Sequence, residues 1–453
     1  MPTIALSMIV KDAAKTLGAC LESVRGVVDE IVIVDTGSSD STKQIAGEFE
    51  ARVSDIPWEN DFAAARNKAL EQVHAAWVLF LDADEILDPA AHKIIPALIA
   101  DQKFAGYQVT IRNYVESLDD RIWDQPAKPN NSALPAARPF PGYVEHENVR
   151  LFRRDPKIYF VGRVHESVGS RIEACGLRLG RASFLIHHFG LAGDPETRAR
   201  KSRLYHDLGK LKIAEMPQNA QAHFELGLVE LDNMGNREEA LREFNKACEL
   251  NPRLGVAWFF SGIALMRLNR YREALERFRR AEKNGRATAA TSEMAGDAHY
   301  NLSEFREAAR CYERASRCCS QSPSIESKLG LASLRAGSRD AGLARIRHAI
   351  SRTPAVPDLH DRLVQALTWL EKLPDAALAA EEKLRAVNAP SANDFLRAAS
   401  LWSKAGNWAR AAALLHVGQR VYPQDLALRR TLDEAKSKAG AEVMERLEAL
   451  AKP

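Results

Sequence analysis

Small residues recur in the C-terminal half of this chain at one fixed interval. Gly262, Gly296 and Gly330 are 34 residues apart, and so are Ala247, Ala281, Ala315 and Ala349. Ala274 and Ala308 keep the same spacing, as do Phe278 and Tyr312. A unit of this length holds two helices and one turn. Neither helix can bury its apolar face alone, so successive hairpins must stack on one another. The half of the chain that carries this interval is therefore expected to be an all-α solenoid.

The period matches that of tetratricopeptide (TPR) repeats, and the unit around Trp258 carries the pattern best. In it, Gly262, Ala274 and Ala281 let two helices approach, and Phe278 fills the gap between hairpins. Pro252 and Pro354 fall at helix ends, where the missing N–H stops propagation. Later units are degenerate: Ala376 keeps the register, while Trp402, Ala411 and Pro423 are shifted by about one residue. The expected layout is five or six hairpins over 219–424, preceded by a helical linker at 196–218 and followed by a polar capping helix at 425–453.

The first 195 residues follow another grammar. Apolar, β-branched runs at Ile4–Val10, Glu30–Val34, Trp77–Leu81 and Gly106–Arg112 alternate with helical stretches. Continuous apolar strands separated by helices predict a parallel α/β sheet covered on both faces. The prolines between Pro126 and Pro141 predict a long irregular loop over about 113–148, of the kind that covers substrates.

Composition narrows the function classes. Lys+Arg is 63 against Asp+Glu 60, a net charge of +3, which argues against a dedicated nucleic-acid binder. No run of about 18 apolar residues is present, so no transmembrane segment is expected. The start, Met1-Pro2-Thr3-Ile4, enters a strand pattern without a basic segment or cleavage site. The six cysteines have no C-x-x-C spacing and read as reduced thiols. A cytoplasmic protein is expected, either free or peripheral at the inner face of the membrane. The Asn130-Asn131-Ser132 sequon is discounted accordingly.

Candidate chemistry clusters at strand ends. Asp35-Thr36-Gly37-Ser38-Ser39-Asp40 follows the second strand, where open α/β sheets bind ligands and where Ser and Asp can also cap a helix. Asp82 and Asp84 follow the third strand two residues apart, spaced to turn toward one hard cation. Mg²⁺ or Mn²⁺ suits such oxygen ligands and accepts substrate phosphates in its open positions. A solvated acidic turn is the plainer alternative. Asp61 can cap the helix that carries Arg66, and Arg66 could bind a pyrophosphate or pair with a nearby acid. Arg163, His165 and Glu166 lie together after aromatics. His187 and His188 end an apolar run, and being adjacent on a strand only one of them can face the site.

The order of these motifs resembles the family 2 glycosyltransferases of GT-A fold. The match runs through Met8-Ile9-Val10-Lys11, Asp35 to Asp40, Asp61 to Asn67 and the DxD at Asp82 and Asp84. Arg150 to Arg153, Gly162 to Glu166 and His187 to Gly190 are similar to the branch with C-terminal TPR repeats, which includes peptide S-glycosyltransferases of bacteriocin pathways. The resemblance covers about 3–195. It implies inverting transfer from a nucleotide-diphosphate sugar, with UDP favoured and Mn²⁺ or Mg²⁺ as cofactor. By position, Asp35 would contact the base, and Asp82 the ribose or the metal's water shell. Asp84 would ligate the metal, and His187 or His188 would be a late metal or phosphate contact. Asp61, Arg66 and Arg163 fall in the substrate-binding set, and Glu166 or His165 would be the general base. One departure is Lys11-Asp12-Ala13, where the family usually has Lys-Asn-Glu.

The TPR groove would recruit a protein, peptide or glycan acceptor, or serve self-association. The competing reading is a TPR interaction scaffold whose nucleotide-sugar-binding domain is non-catalytic. A sugar nucleotidyltransferase would need a Gly-rich basic loop near the N-terminus, and Pro2 to Lys15 contains no glycine.

Overall fold

A computed structural model describes residues 2–116, 121–122, 125–190, 195–318 and 322–440. The chain divides into two compact units at Leu250/Asn251.

The first unit opens with β1 (Ile4–Val10), α1 (Leu17–Ser23), β2 (Glu30–Asp35), α2 (Thr42–Glu48), β3 (Arg52–Asp55), α3 (Phe62–Glu71) and β4 (Trp77–Phe80). Then come β5 (Glu85–Leu87), α4 (Ala91–Ala100), β6 (Gly106–Val115), the two-residue strands β7 (Arg121–Ile122), β8 (Gln125–Pro126) and β9 (Lys128–Pro129), and the long β10 (Gly142–Arg153). It continues through α5 (Gly169–Ala174), β11 (Leu179–His188), α6 (Pro195–Glu215), α7 (Ala220–Leu228) and α8 (Arg237–Leu250).

The main sheet runs β3-β2-β1-β4-β10-β6-β11-β5. Alternation along β1 feeds two cores. Ile4, Leu6, Met8 and Val10 face α1, α2 and α4, whereas Ala5 packs with Val78, Phe80 and Ala63 under α3. Burial on both faces explains why the strand reads as one apolar run.

The sheet is mixed rather than parallel. β1 to β4 are parallel, but β10 runs antiparallel to both β4 and β6. The reason lies in the expected irregular loop, which is largely strand at both ends. β6 continues to Val115 and β10 begins at Gly142, so the irregular stretch lies between them. The two strands form a hairpin and need no helical crossover. The prolines sit in that intervening stretch, and Pro129 pairs only in the two-residue β9. Asp124 of the expected loop lies outside the described residues.

The expected linker at 196–218 is not a linker. α6 packs on the α/β layer: Lys212 Nζ donates to the Val164 carbonyl at 2.9 Å, and Arg163 pairs with Glu215. The first compact unit therefore extends beyond residue 195, and the first helical hairpin, α7 with α8, belongs to it.

The second unit contains α9 (Gly255–Arg267), α10 (Tyr271–Lys283), α11 (Ala289–Asn301), α12 (Phe305–Cys318), α13 (Pro323–Arg335), α14 (Arg339–Arg352), α15 (Pro357–Trp369), α16 (Leu373–Ala386), α17 (Ala392–Lys404), α18 (Trp408–Val421) and α19 (Leu426–Ala439). Its hairpins show why the period holds. A Cβ at Gly262 would meet the Phe278 ring at 2.5 Å, and one at Gly296 would meet Tyr312 at 2.6 Å. The aromatic of the second helix thus lies directly on the glycine of the first. Trp258 Nε1 donates to the Pro252 carbonyl at 2.8 Å, tying that hairpin's entry. The capping helix is described as far as Ala439 and Gly440; residues 441–453 of that expectation lie outside the described residues.

Candidate active site at the carboxyl ends of the central strands

β1, β2 and β4 end side by side, and their following loops carry the candidate residues. Helices on the two faces leave this edge open, the usual place for a ligand in an open α/β sheet.

Asp35 closes β2 and is fully buried. Its Oδ1 accepts from the Gly37 and Ser38 N–H groups at 2.8 and 2.7 Å. Its Oδ2 is buried with no partner among the described residues. That orphan acceptor is costly to leave bare and marks the loop as more than a turn. The first loop is lashed to this one. Asp12 Oδ1 accepts from the Ser39 N–H at 2.8 Å, and the Ala13 N–H donates to Thr42 Oγ1 at 2.8 Å. Asp12 holds a left-handed backbone, φ 48°, to do so. The residues that replace Lys-Asn-Glu are thus an anchor between loops.

At the end of β4 two guanidinium groups flank Phe80. Arg66 lies 5.0 Å and Arg150 4.4 Å from its ring centroid. Arg66 bridges Asp82 at 2.6 Å and Glu166 at 2.5 Å. Arg150 pairs with Glu85 at 2.7 Å and lies 3.5 Å from Asp82. Burial raises the Asp82 carboxyl, but Arg66 and Arg150 outweigh it and hold the group well below the usual carboxylate range. Glu85 moves the other way, pushed up to about 7 by burial and kept from going higher by Arg150. Arg66 Nη1 and Arg150 Nε and Nη1 are buried without partners, so donors remain for an anion.

Asp84 stands opposite His188, whose Nε2 is 3.5 Å from Asp84 Oδ2. The pairing of β5 with β11 makes this contact, because it sets His188 beside Glu85 and His187 beside Ile86. Asn113 Oδ1 lies 2.8 Å from His188 Nδ1 and orients the ring. Burial lowers the His188 proton affinity, but Asp84 more than offsets it, so the net shift is upward. Gly190 closes over the pair, and a Cβ there would collide with the Asp84 carboxylate.

His187 does not face this site. Its two ring nitrogens meet Asp88 at 3.0 Å and the Tyr114 hydroxyl at 2.8 Å, and the ring is 1% exposed. Alternation along β11 sends it to the opposite face, so of the two histidines only His188 joins Asp84. Asp61 and Arg163 are also framework. Asp61 Oδ1 caps α3 by accepting from the Ala64 N–H at 2.8 Å. Arg163 donates to the Asn60 carbonyl at 3.0 Å, pairs with Glu215 and lies 3.9 Å from Asp61. Glu166 is locked into the Arg66 bridge, whereas His165 is exposed, with a left-handed backbone of φ 54°.

Could these residues hold a divalent cation? Among the described residues no group of three or more His, Cys, Asp or Glu side chains is placed to do so. Asp84 and His188 offer two donors, and Asp82 is occupied by arginines. Two donors are fewer than the four of a closed structural zinc site. The pair does fit Mg²⁺ or Mn²⁺, which take most of their remaining ligands from water and substrate phosphates.

Residues 6–158 match the model described as Glycosyl transferase family 2, and residues 220–254 match Tetratricopeptide repeat. Over that first segment the N-terminal unit is similar to glycosyl transferase family 2. These two matches bear out the resemblance and the fold of sheet followed by helical repeats. A TPR repeat-containing protein of Synechococcus elongatus is 30% identical over 235 residues, covering 50% of this chain and 52% of the relative. The glycosyltransferase SunS of Bacillus phage SPbeta is 25% identical over 248 residues, covering 54% and 53%. The lipopolysaccharide core biosynthesis glycosyltransferase LpsC of Rhizobium meliloti is 31% identical over 159 residues, covering 34% and 52%. The chain thus spans about half the length of these curated relatives. Among the described residues no helix is long and apolar enough to cross a membrane.

Arg150, Glu85, Asn113 and Gly190 were not assigned roles from sequence. Arg150 had one readable signal, a cation inside the apolar run Val149 to Phe152. The others become visible only through the pairing of β11 with β5 and β6.

Proposed function

We propose that this protein transfers a sugar, with inversion, from a nucleotide-diphosphate sugar to an acceptor that the TPR region recruits or orients. A UDP-sugar is the favoured donor and Mn²⁺ or Mg²⁺ the cofactor. The observation that carries the reading is the Asp84–His188 pair beside the Asp82–Arg66–Arg150 cluster. A two-ligand cation site beside arginines with unpaired donors suits a diphosphate better than any neutral ligand.

In this reading Asp84 and His188 hold the cation. When bound, the metal stabilises the charge that develops on the leaving diphosphate. Asp35 Oδ2 accepts a hydrogen bond from the nucleobase, and Asp82, held by Arg66 and Arg150, lies along the ribose. Glu166 acts as a positioning residue that keeps Arg66 against Asp82. His165, which has no hydrogen-bond partner among the described residues, is the base that takes the acceptor proton. The curated relatives named as glycosyltransferases support the reaction class.

Release of nucleoside diphosphate from a panel of UDP-, GDP- and dTDP-sugars tests the reading. We expect Mn²⁺- or Mg²⁺-dependent release from at least one donor, abolished by chelator. No release and no nucleotide binding across the panel would overturn it in favour of a non-catalytic scaffold.

A further inference from the structure

Helix α6 lies outside the family-matched segment, yet it supplies a wall of the site. Tyr205 projects from it onto two residues beside the acid cluster. Its ring lies 6.2 Å from Phe62 and 5.8 Å from the His165 ring, the latter nearly parallel at 20°. Phe62 in turn packs edge-on against Trp58 at 4.8 Å. Lys201, one turn earlier on α6, sits 5.8 Å from the Tyr205 ring. α6 is itself pinned by Lys212 and Glu215 on the Val164 carbonyl and Arg163. The phenol is therefore fixed on two sides.

Acidic side chains lie near enough to act on the phenol. Burial raises the Tyr205 proton affinity, Lys201 opposes this, and the carboxylates of Asp82, Glu166 and Asp84 raise it further. The group thus stays protonated at neutral pH and is a hydrogen-bond donor. Among the described residues no side chain or carbonyl accepts from its hydroxyl, which keeps some exposure to solvent. His165 keeps its left-handed backbone at the point where its ring meets Tyr205. A non-glycine residue in that conformation is retained where the surroundings over-determine it, and such positions cluster at functional sites.

From this geometry we infer that Tyr205 is a substrate-contacting residue whose hydroxyl donates a hydrogen bond to the diphosphate of the nucleotide donor. The inference rests on the transferase reading above and extends the donor site to the helix that leads into the repeats. A fixed neutral donor beside Asp82 and Asp84 adds a contact to phosphate oxygens without adding charge. The phenyl ring of Tyr205→Phe preserves the packing on Phe62 and His165 and removes only the hydroxyl.

Calorimetric titration of the full chain, with Mn²⁺ present, provides the test. The ligands are UDP, GDP and dTDP, and for the tightest of them the parent nucleoside. A hydrogen bond to a charged group predicts that Tyr205→Phe weakens the diphosphate about tenfold and leaves the nucleoside unchanged. Equal diphosphate affinity in wild type and variant would overturn the contact. So would equal weakening of diphosphate and nucleoside, which marks a general loss of pocket shape. If wild type binds none of the three diphosphates, the transferase reading itself fails, and the contact with it.

Discussion

The two adjacent histidines of β11 show how much one residue of register decides. His188 reaches Asp84, while His187 is spent between Asp88 and Tyr114. His188→Ala should raise the Mn²⁺ concentration needed for half-maximal nucleotide release on the order of tenfold, with little change in melting temperature. His187→Phe should leave that requirement unchanged and destabilise the fold by about 1–3 kcal/mol, because it strands the buried Tyr114 hydroxyl. Chemical denaturation and metal titration of both variants check the pair, and the reverse pattern would contradict the assignment. Sequence showed that only one histidine could face the site, from strand alternation alone. It could not choose, because the choice depends on which strand lies beside β11. Asp61 was legible as the cap of α3 and Arg66 as a partner for an acid. Which acid it meets across the fold, Glu166, follows from the packing of α3 against the Phe160–Glu166 segment.

Elements were legible in proportion to their length and periodicity. The repeat helices were readable because glycine and aromatic positions must meet in each hairpin. Gly262→Ala should therefore overpack against Phe278, which is 1% exposed, and cost about 1–3 kcal/mol. A melting temperature within a degree of wild type would show that the Phe278 ring yields freely and that the glycine is not a packing requirement. By contrast β5, three residues that begin with Glu85, was hidden within an acidic turn. β3 was missed for a related reason, since Arg52–Asp55 is a short, half-exposed strand at the sheet's edge. The first half of β10 holds four consecutive polar residues, Glu145-His146-Glu147-Asn148, and lacked the apolar run that marks a strand buried on both faces. That polar stretch lies in the site half of the sheet. There His146 is pushed down to about 4, by burial first and then by Arg150 and His188.

At the scale of the molecule, the composition shift near residue 195 was visible, but it is not where the first compact unit ends. α6 carries Tyr205, Lys212 and Glu215 onto the α/β layer, and the first compact unit runs to Leu250. A chain ending at Leu250 should fold and retain metal-dependent nucleotide binding. A chain ending at Pro195 should bind dye to exposed apolar surface and lose nucleotide affinity, because Phe62 and Arg163 lose their partners on α6. Equal nucleotide affinity in the two truncations would show that α6 is dispensable. The proposed function makes Asp84 the anchor of a cation-dependent transferase centre. Its most direct measurement is the rate of nucleoside diphosphate release from the preferred nucleotide sugar, compared between wild type and Asp84→Asn at saturating Mn²⁺. The account predicts a fall of at least about a hundredfold with the fold intact; a variant that turns over at the wild-type rate would contradict it.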